Sequence, residues 1–167
     1  MAHLIGLLLV FILPFSVSCT SIAVKPDNIG PAEKGALVLR ANLIFDGNPA
    51  YIPKTIIKSQ DSDVEIEYEY KVFYDGTKLN HEIIAGLLPT TILGLPTGGD
   101  DILVVAKLAV RKGGNPVKSY TAEALVTRPR SLFLGGVDKT AMRKKGLLAV
   151  KENLEKQMIH DRELLSK

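Results

Sequence analysis

Cys19 is the only cysteine among the 167 residues, so the chain can form no intrachain disulfide. In an exported protein a lone thiol is either used or a liability, and the position of Cys19 decides which. The other residue types that carry chemistry are scattered. His3, His81 and His160 are far apart, and none has a second His or Cys at metal-ligand spacing. His160 falls near the end of a predicted helix, where it suits the negative pole of the helix dipole. Glu65, Glu67 and Glu69 recur two apart. Paired carboxylates serve as acid and base in glycoside hydrolysis, but on a strand this spacing makes a solvated, aggregation-resistant face. The Gly98-Gly99-Asp100-Asp101 run lacks the Gly-Lys-Ser/Thr of a phosphate loop and reads as turn chemistry before a strand. No serine sits in Gly-x-Ser-x-Gly. The sequence therefore nominates no catalytic residue, no metal ligand and no cofactor, and the chain reads as non-enzymatic.

The densest charge is basic. Arg128, Arg130, Lys139, Arg143, Lys144 and Lys145 fall within eighteen positions, the last four in the first turns of a predicted helix. Cations there oppose the helix macrodipole at a cost of a few tenths of a kcal/mol, roughly. An anionic partner, such as lipid headgroups, lipopolysaccharide or an acidic protein face, would offset that cost; a solvated face is the plain alternative. The net charge of +3 is mild and there is no Trp, which speaks against nucleic acid as the partner. A second candidate surface is the apolar stretch 83–96, broken by Gly86, Pro89, Gly94 and Pro96. It serves either as core or as a partly exposed surface for a membrane or another envelope protein.

No Lys, Arg, Asp or Glu precedes Lys25, and residues 4–15 are apolar except for Gly6 and Pro14. That run has the length of a signal-peptide core and is short of the roughly 20 residues that span a bilayer. Ser16 and Ser18 follow, and then Cys19. This arrangement resembles the lipobox of bacterial lipoproteins. The resemblance implies removal of residues 1–18 and diacylation of Cys19 as the new N-terminus. Ser16 stands where the family usually has Leu, and residues 1–3 lack Lys and Arg. The two serines also satisfy the small-x-small rule of an ordinary signal peptidase, which would release a soluble product; an uncleaved anchor is the third outcome. Thr20, rather than Asp, after the Cys implies by the same resemblance an outer-membrane address facing the periplasm. Several acyl chains on one residue anchor stably.

Residues 19–34, with Pro26, Gly30 and Pro31, read as a lipidated Cys and flexible tether. Residues 35–167 read as a single domain. Strands are predicted over 36–45, over 51–58 as an edge or irregular segment because of Pro53, and over 63–74. In the last of these Val64, Ile66, Tyr68, Tyr70, Val72 and Tyr74 alternate with Glu65, Glu67, Glu69 and Lys71. Segments 102–111 and 117–127 read as a hairpin closed by a longer loop at 112–116. From Asp138, which the sequence offers as N-cap, apolar residues recur at helical spacing to about Leu164. The expected fold class is α+β: a mostly antiparallel sheet with a C-terminal hairpin, packed by one long terminal amphipathic helix.

Over residues 102–165 this architecture, with Lys118-Ser119-Tyr120-Thr121-Ala122 leading toward the helix, resembles small periplasmic outer-membrane lipoproteins of the YajG-like and lipopolysaccharide-assembly types. The resemblance implies a non-enzymatic accessory role and transfers no functional residue. The expected function is a membrane-anchored lipoprotein of the bacterial envelope that binds a protein partner or envelope component. The alternatives are a periplasmic carrier of a small apolar ligand, with its pocket between sheet and helix, and a secreted soluble protein.

Overall fold

The computed structural model describes residues 20–30, 37–74, 99–129 and 138–166. Cys19, Arg130, residues 1–18 (read in the sequence as a signal peptide) and the apolar stretch 83–96 lie outside them. The described elements are strands β1 (Ser21–Lys25), β2 (Leu39–Ile44), β3 (Ile56–Lys58), β4 (Val64–Tyr74), β5 (Gly99–Lys112) and β6 (Asn115–Pro129), then helices α1 (Lys139–His160) and α2 (Arg162–Leu165). The strands form one sheet in the order β1-β6-β5-β4-β2-β3, curled as a half-barrel.

The sheet is mixed, which corrects the expectation of a mostly antiparallel one. β1 with β6, β6 with β5 and β5 with β4 are antiparallel, whereas β2 runs parallel to both β3 and β4. The physical reason lies in how the chain leaves β2. Asp46 to Asn48 do not fold it back into a hairpin. Asn48 instead caps a single 3-10 turn at Pro49–Tyr51, its side chain accepting the Ala50 N–H at 2.9 Å. The crossover then lies against the helix, where Lys151 Nζ donates to the Ala50 carbonyl at 2.9 Å and Glu155 accepts the Lys54 N–H. β3 next climbs beside Leu39 to Ala41. The chain steps across β2, and β4 continues upward beside Asn42 to Ile44. Because β3 and β4 flank β2 at successive levels, residues 59–63 suffice for the step.

β4 carries the alternation read in its sequence as far as Tyr68: Val64, Ile66 and Tyr68 are buried, while Glu67 and Glu69 are exposed. Gly113 and Gly114, at φ of 55° and 81°, join β5 to β6. Two successive left-handed residues make the tight turn that matches strand twist, so Lys112 faces Asn115 directly and the longer loop expected at 112–116 does not form. Pro116 has no N–H to donate, and the register shifts beside it, at Val110 and Arg111.

α1 begins where the sequence places it: Asp138 Oδ1 accepts the Ala141 N–H at 3.0 Å. Leu147, Val150, Leu154 and Met158 are fully buried on the sheet face lined by Ile66, Ile102, Val104, Leu108, Ala124 and Val126. Each such side chain contributes about 1.5–3 kcal/mol relative to leaving it in water. The contact is close enough to need glycine. A Cβ on Gly146 would stand 2.7 Å from Val104 Cγ2 and 3.2 Å from Val126 Cγ2. Any side chain at position 146 would therefore push the helix off the sheet at this point.

The segment expected as a tether is the largest departure. Ser21–Lys25 is an edge strand in register with Thr127 to Glu123. Beyond it, the Pro26 carbonyl accepts from Asn153 Nδ2 at 2.8 Å. A Cβ at Gly30 would meet the His160 ring at 3.0 Å. Asn153 Oδ1 in turn accepts from Gln157 Nε2, which also donates to the Thr121 carbonyl, both at 2.8 Å. Residues 21–30 therefore run along α1 and are held by it. The backbone groups at the open edge of β6 needed a partner, and this segment supplies one.

Candidate functional site

β6 ends at Pro129 and α1 returns over it in the opposite direction, with Gly146 above Val104 and Val126 and Gln157 bonded to Thr121. The start of α1 therefore lies at the end of the sheet where β6 finishes, β5 begins and β1 begins. Elementary geometry sets the level. From Gly146 back to Lys139 is seven residues, about 10 Å of helix; from Val126 to Pro129 is three residues, about 10 Å of strand. Helix start and sheet end thus reach the same height. Ser21 pairs with Thr127 close to that height. Cys19 precedes Ser21 by two residues, which reach at most about 7 Å.

This end is basic. α1 has no acidic residue in its first turn, and Lys139, Arg143, Lys144, Lys145 and Lys151 precede its first acid, Glu152. Lys139, Arg143, Lys144 and Lys145 are all exposed. Lys139 and Arg143 lie on the stripe that continues through Leu147, Val150 and Leu154. Toward the sheet's end this stripe carries cations, while Met142 between them stays buried in the core at the edge of the same face. Arg128, near the end of β6, is half-buried. Two carboxylates accompany these cations among the described side chains. Asp138 is engaged in the helix cap. Asp101, in register with Thr127, is buried on the sheet face turned away from α1, with Oδ1 making no hydrogen bond.

Of the basic residues singled out in the sequence, five are thus described and four cluster on two helical turns; Arg130 lies outside the described residues. The glutamate row stands where its spacing put it. Glu65 and Glu67 reach Arg111 at 3.3 and 3.7 Å, as partly exposed ion pairs worth little. A cavity of about 260 Å³ opens where β2 parts from β4. Ile44, Phe45, Asp46, Glu67, Tyr68, Glu69 and Tyr70 line it. It is smaller than the roughly 300–1,000 Å³ usual for small-molecule sites. No three of His, Cys, Asp and Glu meet as a metal cluster among the described residues. No helix among them is long and apolar enough to cross a membrane.

Among the described residues three titratable groups are perturbed. Burial raises the Tyr68 phenol well above its ordinary range, with Tyr70 adding to the effect, and Tyr68 donates to the Tyr51 carbonyl at 3.2 Å. Burial and the adjacent Asp161 carboxylate do the same for Tyr120. Glu123 is raised by burial, against the opposing pull of Lys25, its partner across β1. A carboxyl with a raised folded pKa holds its proton more tightly in the native state than in the unfolded chain. Stability therefore falls as pH rises from the unfolded value, about 4.3, through the folded one. Glu123→Gln should accordingly raise the melting temperature at pH 7, and the gain should shrink toward zero below pH about 4. Calorimetry at the two pH values checks this; a loss of stability at pH 7 would show that the Lys25 pairing outweighs burial.

No family model matches the chain, and neither a curated protein nor a solved structure does.

Proposed function

We propose that the chain is a non-enzymatic lipoprotein of the bacterial envelope, held by acyl chains on Cys19 at the periplasmic face of the outer membrane. In this role it binds an envelope component through its basic end. One observation carries the reading. The ordered sheet starts at Ser21, two residues after Cys19, and it starts at the end where the cationic turns of α1 lie. A lipid on Cys19 would hold this domain close to the bilayer with one defined end toward it, where a flexible tether would leave orientation free. The apolar run 4–15, the small residues before Cys19 and the absence of any second thiol support the same reading.

The test is the intact mass of the protein purified from bacterial membranes. A chain beginning at Cys19 and carrying acyl mass is expected. An unmodified chain recovered from the soluble fraction would overturn the anchor and leave a secreted protein.

A further inference from the structure

We infer that the first two turns of α1 seat on anionic phospholipid headgroups, so that Lys139, Arg143, Lys144 and Lys145 form the membrane-facing foot of the domain. The inference rests on the anchored reading for its geometry and names the component that the basic end binds. Three features lead to it.

The first is placement. Helix start, sheet end and the last residue before Ser21 reach one height. An acyl chain two residues from the sheet would bring the four cations near the headgroups. Charges act over about 8–10 Å at physiological ionic strength, so they would sit inside the negative surface potential of the bilayer rather than sample it occasionally.

The second is the cost of the charge arrangement. Four cations and no anion in the opening turns work against the helix dipole, and the capping Asp138 offsets only part of this. Headgroup phosphates at that position would satisfy both the side chains and the positive pole of the helix.

The third is the texture of the surface. Between Lys139 and Lys151 there is no aromatic residue, and Leu148 is the one large apolar side chain noticeably exposed, at 37%. Protein interfaces draw their energy from buried aromatic and apolar anchors. Long cationic side chains without such anchors suit a fluid array of phosphates, where each charge finds its own partner.

The experiment reconstitutes the purified full chain into vesicles of phosphatidylcholine alone or with about 30% phosphatidylglycerol, where each basic residue gains the electrostatic attraction of an anionic surface. Lysine acylation by a water-soluble reagent is then followed by mass spectrometry. Lys139, Lys144 and Lys145 are expected to react roughly threefold or more slowly on the anionic vesicles, and the difference should vanish in about 0.5 M salt. Lys58 and Lys156, exposed elsewhere on the domain, should react equally on both. Equal rates for the three helix lysines on the two vesicles would overturn the inference. So would uniform slowing that includes Lys58 and Lys156, which means adsorption without orientation. Slowing in native membranes but on neither vesicle would also overturn it, by assigning the foot to a protein partner. The intact mass of the same preparation separates this from the anchor: acyl mass without protection sinks the foot alone, and protection without acyl mass sinks the anchor alone.

Discussion

Leu147→Ala should destabilise the protein by about 2–5 kcal/mol, whereas Leu148→Ala, one residue on, should change stability by less than about 0.5 kcal/mol. The two leucines share a helix, a backbone environment and an intrinsic helix propensity, so the comparison isolates packing. Leu147 is fully buried, and Leu148 is 37% exposed. Truncating Leu147 loses the transfer free energy of three carbons and leaves a void between the sheet and α1. That void closes poorly, because the neighbouring contact at Gly146 already brings the helix against Val104 and Val126. A loss of this size is a large part of the 5–15 kcal/mol typical of a domain. Urea unfolding reads it as a lower midpoint at constant slope. Equal losses for both variants would mean that α1 is not seated on the sheet by this stripe.

The elements that were legible before the structure share a property: their period is imposed by burial on one face. β4 alternates because one face is core and the other carries glutamates. α1 shows its 3.6-residue period and its cap because Asp138 must satisfy a free N–H and the stripe from Leu147 to Met158 must face the sheet. β1 was hidden for the opposite reason. Ser21 to Ala23 are exposed on an outer strand, so nothing in their sequence alternates, while Pro26, Gly30 and Pro31 suggest a linker. Strand direction was hidden too. The Asp46 to Pro49 run announces that β2 ends but carries no information on whether the next strand returns beside it or climbs in parallel. That choice is made by contacts about a hundred residues away, such as Lys151 with the Ala50 carbonyl.

The candidate site divides in the same way. The residue types were visible as a basic run, and so was the conflict with the helix dipole. Their meaning depended on which end of the sheet β1 joins, a fact of topology that no local window holds. Lys139 and Arg143 make the point most sharply. Helical spacing alone assigns both to the stripe that should be apolar, and only the height of the sheet's end explains why cations are tolerated there.

Cys19→Ser should move the protein almost wholly from the membrane fraction to the soluble one. The expected size follows from the chemistry of anchoring. Each buried methylene of an acyl chain contributes about 0.8 kcal/mol, and two chains hold a protein on a bilayer where one gives only marginal, reversible binding. Four cations on α1 cannot replace that. Each contributes about 1 kcal/mol at an anionic surface, and salt screens the attraction. The substitution falls before β1, whose register with Thr127 to Glu123 begins at Ser21, so the folded domain should be unchanged and its melting temperature should match the parent. The released protein should still bind anionic vesicles weakly and in a salt-sensitive way through the foot of α1. Retention of the Cys19→Ser chain in membranes after washing with high salt would show that the apolar run 4–15 stays on the variant as its anchor. The intact mass of the parent, with or without residues 1–18, then decides whether acylation of Cys19 holds the domain there.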